Sequence, residues 1–201
     1  MKIRLRASVL CCLLPAIMTS CNKTITRVID HSLNSPKKGQ FVEYTIRQGQ
    51  HHADQNSYQQ VNYDELKFVV RFDSTAIYQT AKASNQEDID KLYGFSDNNS
   101  QHQQFSARFG WNWVQSALRL YAYTYNNGER TSQEITTLHI GNEYNCSIKV
   151  MNQNYIFSVN STTIAMPRSS ITAKGDGYKL YPYFGGDETA PHDIHVWIKE
   201  I

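Results

Sequence analysis

The chain has 201 residues, with 20 Lys+Arg, 18 Asp+Glu and 7 His, and a formal net charge of +2. Lys2, Arg4 and Arg6 account for that excess, since beyond them 17 basic side chains face 18 acidic ones. A nearly neutral body excludes the basic face that a nucleic-acid partner requires, and the length is enough to bury one ordinary hydrophobic core.

Residues 1–20 read as an export leader. Three cations open it, an apolar run from Ala7 to Met18 follows, and small residues close it. The run is shorter than the roughly 20 apolar residues that a bilayer crossing needs. Met18-Thr19-Ser20-Cys21 resembles a bacterial lipobox, with Met where that pattern favours Leu. The resemblance implies cleavage before Cys21, lipidation of its sulfur and a membrane as partner; several acyl chains together anchor stably. Residues 21–39 then read as a tether that ends in the turn formers Asn34-Ser35-Pro36-Lys37-Lys38-Gly39. Asn22-Lys23-Thr24 stand where surface-displayed lipoproteins of Bacteroidetes-type bacteria carry acidic residues. The expected location is therefore the bacterial envelope, on the outer membrane and facing the periplasm. With Cys11 and Cys12 in the leader and Cys21 lipidated, Cys146 stands alone, so no internal disulfide forms. It reads as a small buried residue on a strand.

Residues 40–201 read as one domain built of strands. Successive runs rich in Val, Ile, Tyr, Phe, Thr and Trp cover 41–46, 66–72, 106–113, 118–125, 134–140, 145–150, 155–159, 162–166, 178–183 and 193–200. Ala107, Phe109, Trp111 and Trp113 alternate onto one face. Asn126-Asn127-Gly128 and Asn152-Gln153-Asn154 supply hairpin turns. One short helix is expected over Asn85–Tyr93, capped by Ser84 or Asn85, with acidic residues in its first turn and Gly94 after its end. The expected fold is an all-β, two-sheet antiparallel sandwich carrying that one helix.

The run from Leu118 to Val159, closing in Tyr155-Ile156-Phe157-Ser158-Val159-Asn160, resembles the central strands of concanavalin A-like jelly rolls of the laminin-G and glucanase type. Ser161 stands where those folds place Gly. The stretch Tyr181–Ile194 resembles the approach to the last strand of such jelly rolls in Bacteroidetes-type lipoproteins. The resemblance implies a face that holds sugars.

Two strands carry suitable side chains. Arg119, Tyr121, Tyr123 and Tyr125 share one face of 118–125; Asp193, His195, Trp197 and Lys199 share one face of the final strand. Aromatic rings can stack on pyranoses, and planar Arg suits a uronate carboxylate. Arg119, Tyr121, Tyr123, His195 and Trp197 are accordingly the candidate glycan ligands. No cofactor is implied, although Asp187, Glu188 and Asp193 are weak candidate ligands for calcium, which takes six to eight oxygens. His51-His52-Ala53-Asp54 could offer metal ligands but lacks a second cluster. Glu87-Asp88-Ile89-Asp90 reads as a solvated helical turn.

The expected role is a lipid-anchored envelope protein that binds glycan or a related ligand. A polysaccharide lyase or glycoside hydrolase on the same fold is one alternative; a non-catalytic structural accessory lipoprotein is another. A lyase would draw on Arg71, Arg108, Arg119, Tyr123, His139 and His195. The Arg-Glu-x-Arg, Gln-Ile-His and Tyr-Phe-Lys-x-Gly patterns of jelly-roll alginate lyases are missing, as is the Glu-x-Asp-x-x-Glu of laminarinase-type hydrolases.

Overall fold

A computed structural model describes residues 38–201. The leader, Cys21 and most of the tether lie outside the described residues. Twelve strands form two antiparallel six-stranded sheets. The first has the order β1 (Val42–Ile46), β12 (Ile194–Glu200), β3 (Glu65–Phe72), β8 (Glu143–Met151), β9 (Asn154–Val159), β10 (Thr162–Pro167). The second has the order β2 (Gln60–Tyr63), β11 (Gly175–Leu180), β4 (Asp90–Ser96), β5 (Phe105–Val114), β6 (Ala117–Asn126), β7 (Glu129–Leu138). Together they make the expected sandwich.

Strand alternation builds the core. Phe68 and Phe72 on β3 meet Phe109 and Trp111 on β5 at ring separations of 5.5 and 5.2 Å. Phe109 also packs edge-on against Phe157 of β9 at 5.2 Å. These rings are all within 2% of complete burial. Cys146 is buried on the inner face of β8, as its strand position implies, and burial pushes its thiol pKa up.

Two elements differ from expectation. β2 is too short to stand out as a periodic run. The helix expected over Asn85–Tyr93 is absent: a single 3-10 turn covers Ala83–Asn85, and β4 begins at Asp90. The spacing of Ile89, Leu92 and Tyr93 mimics a helical stripe because β4 contains a bulge. Asp90 and Lys91 face Trp111 and Gly110 of β5, but Gly94 already faces Arg108. The register slip turns both Leu92 and Tyr93 into the core. Asp90 is therefore no solvated turn residue; it is 1% exposed and points inward.

Tight turns hold the hairpins in register. Gln115 and Ser116, at φ 54° and 59°, join β5 to β6, and Asn127 and Gly128, at 55° and 83°, join β6 to β7. Two successive left-handed residues suit the twist of adjoining strands.

A buried ion pair ties the sheets together beneath β11. Asp97, just past β4, accepts from Arg168 Nε at 2.7 Å, from the Tyr155 hydroxyl at 2.6 Å and from the Asp176 amide at 3.1 Å. Burial alone would raise this carboxyl's pKa; the bonds from Arg168, Tyr155 and the amides of Asp176 and Asn98 outweigh it and hold it low. The depressed pKa contributes stability that is present above the ordinary carboxylate range and drains as the pH falls through the folded-state value. Asp97→Ala strands the Arg168 charge and should cost about 3–5 kcal/mol at pH 7. The difference from wild type should shrink toward pH 2, as chemical denaturation would record.

Candidate functional site: a cationic, tyrosine-lined groove

The outer face of the second sheet carries a groove of about 720 Å³. Its floor follows from hairpin register. Arg108 on β5 pairs with Tyr123 on β6, and Ser106 pairs with Tyr125, so alternation puts these four side chains on one face. The β4 bulge adds Lys91. In a regular strand Lys91, Tyr93 and Phe95 would share one face; the inserted residue sends Lys91 outward while the two rings stay in the core. The segment after β11 closes one wall. Tyr183 exchanges backbone hydrogen bonds with Lys91, its N–H donating at 2.9 Å and its carbonyl accepting at 2.8 Å.

Lys91, Arg108, Arg130, Lys179, His52 and His102 line the groove, and none of the described residues lining it is Asp or Glu. Lys179 pairs with Glu200 at 2.6 Å, whereas Lys91, Arg108 and Arg130 form no ion pair among the described residues. Arg108 is 7% exposed, and its Nε has no hydrogen-bond partner. The Ser106 hydroxyl beside it is likewise buried and unpartnered. Burial brings the Arg108 pKa down to about 10, against an opposing pull from the surrounding tyrosines, so it remains a cation at neutral pH. Burial, then repulsion from Arg108, lowers Lys91 to about 8; Asp90 opposes this and Arg130 reinforces it. Both cations lie over the Tyr123 ring, Lys91 Nζ at 5.5 Å and Arg108 Cζ at 5.6 Å from its centroid. His102 Nδ1 sits 3.0 Å from the Tyr178 hydroxyl, and burial and Arg108 hold its pKa low.

The structure separates the candidate ligands. Tyr123 lines the groove, but at 3% exposure it is wedged between Lys91, Arg108 and Tyr125. Its ring is no open stacking platform. Arg119 and Tyr121 lie on the same face but are engaged elsewhere, Arg119 donating to Glu134 at 3.0 Å and Tyr121 to Asn112 Oδ1 at 3.2 Å. His195 and Trp197 belong to β12 in the other sheet, so they cannot join β6 in one site. There His195 Nδ1 lies 2.8 Å from Glu43 Oε1, and Arg71 covers Trp197 at 5.0 Å.

Of the acidic candidates, Asp187 is exposed, and Glu188 and Asp193 hold backbone amides. Glu188 accepts from the Ala81 and Lys82 amides at 2.7 and 2.8 Å, and Asp193 accepts from the Gln48 amide at 2.8 Å and from Arg47. Among the described residues no group of three or more His, Cys, Asp or Glu could hold a metal ion. The two adjacent histidines pack on one ring: His51 stacks on Tyr183 at 5.2 Å and His52 meets it edge-on at 4.8 Å.

Lys91, Tyr125, His102, Tyr178, Tyr183 and Arg130 were not singled out as ligands. Recognising the Gln115-Ser116 turn would have placed Arg108 opposite Tyr123 and brought Tyr125 beside them.

No protein-family model matches this sequence, and no curated protein matches it. Solved structures do share its fold. The alginate lyase AlyC3 superposes with a TM-score of 0.57 at 10% identity, over 81% of this chain and 74% of that one. AlyC3 in complex with dimannuronate gives 0.52 at 8% identity, over the same shares of the two chains. An alginate lyase from Chlorella virus, vAL-1, gives 0.49 at 11% identity, over 80% of this chain and 82% of that one. The likeness to AlyC3 shows the fold class: a two-sheet antiparallel jelly-roll sandwich.

Asp90 lies just behind the groove. It accepts from the Gly185 amide at 2.7 Å and from the Tyr78 hydroxyl at 2.9 Å. Burial raises its pKa to about 8 despite those bonds. A raised carboxyl favours the protonated fold, so stability should decline as pH climbs from about 4 through 8. Asp90→Asn should flatten that decline in thermal melts taken between pH 5 and 9.

Proposed function

We propose that the groove binds glycans bearing uronate carboxylates and cleaves them by β-elimination. The observation that carries this reading is Arg108: a nearly buried cation with an unpartnered Nε, on a groove floor that supplies no carboxylate. Such a group calls for an anion from the ligand, and a guanidinium fork suits a planar carboxylate. The fold shared with alginate lyases supports the same substrate class. Two-carboxylate hydrolysis is disfavoured, since the described lining offers no acidic pair.

In the proposed reaction Arg108 holds the uronate carboxylate and stabilises charge as C5 loses its proton. Lys91, brought to about 8, takes that proton as a free amine. The C5–H electron pair becomes the C4=C5 double bond, and the C4–O4 bond breaks. The phenol of Tyr125, packed edge-on against Tyr123 at 6.0 Å, gives its proton to the departing O4. Atoms balance without a further reactant: one chain yields an unsaturated uronate end and a free hydroxyl.

A second reading, glycan binding without turnover, is favoured by the missing alginate-lyase patterns. One substitution separates the two. Lys91→Arg keeps the positive charge but cannot accept a proton near neutrality. A lyase should keep its affinity for polyuronate within a few-fold and lose about 10²–10⁴-fold in turnover, read as ultraviolet absorbance of the new double bond. Its kcat/KM should rise with pH through about 8 as Lys91 deprotonates. Wild-type protein that binds polyuronate yet generates no such absorbance identifies the binder.

We further infer that the domain works from a membrane. The support is the leader and Met18-Thr19-Ser20-Cys21 alone. Cys21→Ser should move the protein from the membrane fraction to the soluble fraction and abolish palmitate labelling. Labelling that survives the substitution would refute the anchor.

A further inference from the structure

The groove extends well past its reactive centre, and its two ends differ chemically. At the β11 end, just beyond the residues that line the groove, Tyr58 is 79% exposed. It lies 5.7 Å from the ring of Tyr178, which lines the groove, at an interplanar angle of 33°. The loop that carries it is anchored at its two ends: the Ala53 amide donates to Pro182 O at 3.2 Å, and the Lys179 amide to Gln59 O at 2.9 Å. An exposed ring on a loop anchored at both ends offers a stacking surface that loses less freedom on contact than one on a free segment.

At the other end stands Arg130 of β7, opposite Tyr125 in register. It lines the groove and forms no ion pair among the described residues. From β11 to β7 the groove crosses four inter-strand steps. At about 4.8 Å per step that is about 19 Å, room for about four linked pyranose rings.

We propose that Tyr58 and Arg130 are distal sugar subsites, an aromatic platform and a second carboxylate anchor, and that the groove grips a polyuronate internally over about four units. The inference rests on the uronate reading and names the ligand length and the mode of attack. Subsites on both sides of Arg108 mean that chain ends are not required, so cleavage falls within the polymer.

The test is the length dependence of kcat/KM for the full chain on mannuronate and glucuronate oligomers of two to six units. Values should climb up to about four units and then level. Tyr58→Ala and Arg130→Gln should each cost about tenfold on tetramers and longer, equivalent to about 1.4 kcal/mol, and far less on dimers. Tyr58→Trp should restore the loss at Tyr58, which a merely structural defect would not allow. A flat length profile, or equal losses at every length, would overturn the subsites while leaving the uronate reading intact. If the wild type binds oligomers without cleaving them, the same profile is read from Kd and decides in the same way. If it neither binds nor cleaves any of them, both proposals fall.

Discussion

One inserted residue in β4 organises the functional face. A regular strand could not bury Tyr93 and Phe95 without burying Lys91 as well, since all three fall on the same side. The bulge between Lys91 and Gly94 removes that choice. Leu92 and Tyr93 both enter the core, where Tyr93 meets Phe68 and Tyr44 at 5.3 and 6.1 Å, while Lys91 emerges beside Tyr123 and Arg108. Bulges re-aim side chains at the cost of a ladder bond; here the bulge puts the Lys91 ammonium on the face opposite Tyr93 and Phe95. Glycines make room for it. A Cβ on Gly94 would overlap the β5 backbone at Ala107, and one on Gly185 would overlap Lys91 Nζ.

The groove is unusual for what it lacks. Buried or half-buried cations are normally matched with carboxylates, because an unpaired charge in a low-dielectric setting is costly. Other cations of this protein follow that rule: Arg168 meets Asp97 at 2.7 Å, and Lys179, which also lines the groove, meets Glu200 at 2.6 Å. For Lys91 and Arg108 the partners are tyrosine rings, which soften the penalty through their electron-rich faces without neutralising the charge. The consequence appears in the lowered pKa values of Lys91 and Arg108. A bound carboxylate would relieve both, which is the physical basis of the proposed preference for anions over neutral sugars.

The opposite sheet offers a useful contrast. Its outer face also carries cations and aromatic rings, with Arg71 over Trp197 and Phe41, and Lys199 over Phe41 at 4.5 Å. Those cations are only half-buried, and His195 has Glu43 and Thr45. Residue types alone do not distinguish this face from the groove. The difference lies in burial: Arg108 is 7% exposed with an unpartnered Nε, and Arg71 and Lys199 keep access to solvent.

The amino-acid sequence by itself determined the class of fold, most strand positions and the direction in which they face. Period-two alternation and Asn-Gly turns are local signals, and Ala107, Phe109 and Trp111 point inward as their spacing implies. Tyr123 was legible for the same reason. Lys91 was not: its strand imitates a helical stripe, because a bulge breaks the period on which such readings depend. Nor could the sequence tell that His195 and Trp197 lie across the sandwich from Tyr123. Sheet membership is set by non-local pairing, β12 with β1 and β3, β6 with β5 and β7, and pairing energy is shared across strands distant in the chain. Tertiary structure alone decided which cations lost their partners, because compensation of charge depends on neighbours brought together only by the closed core.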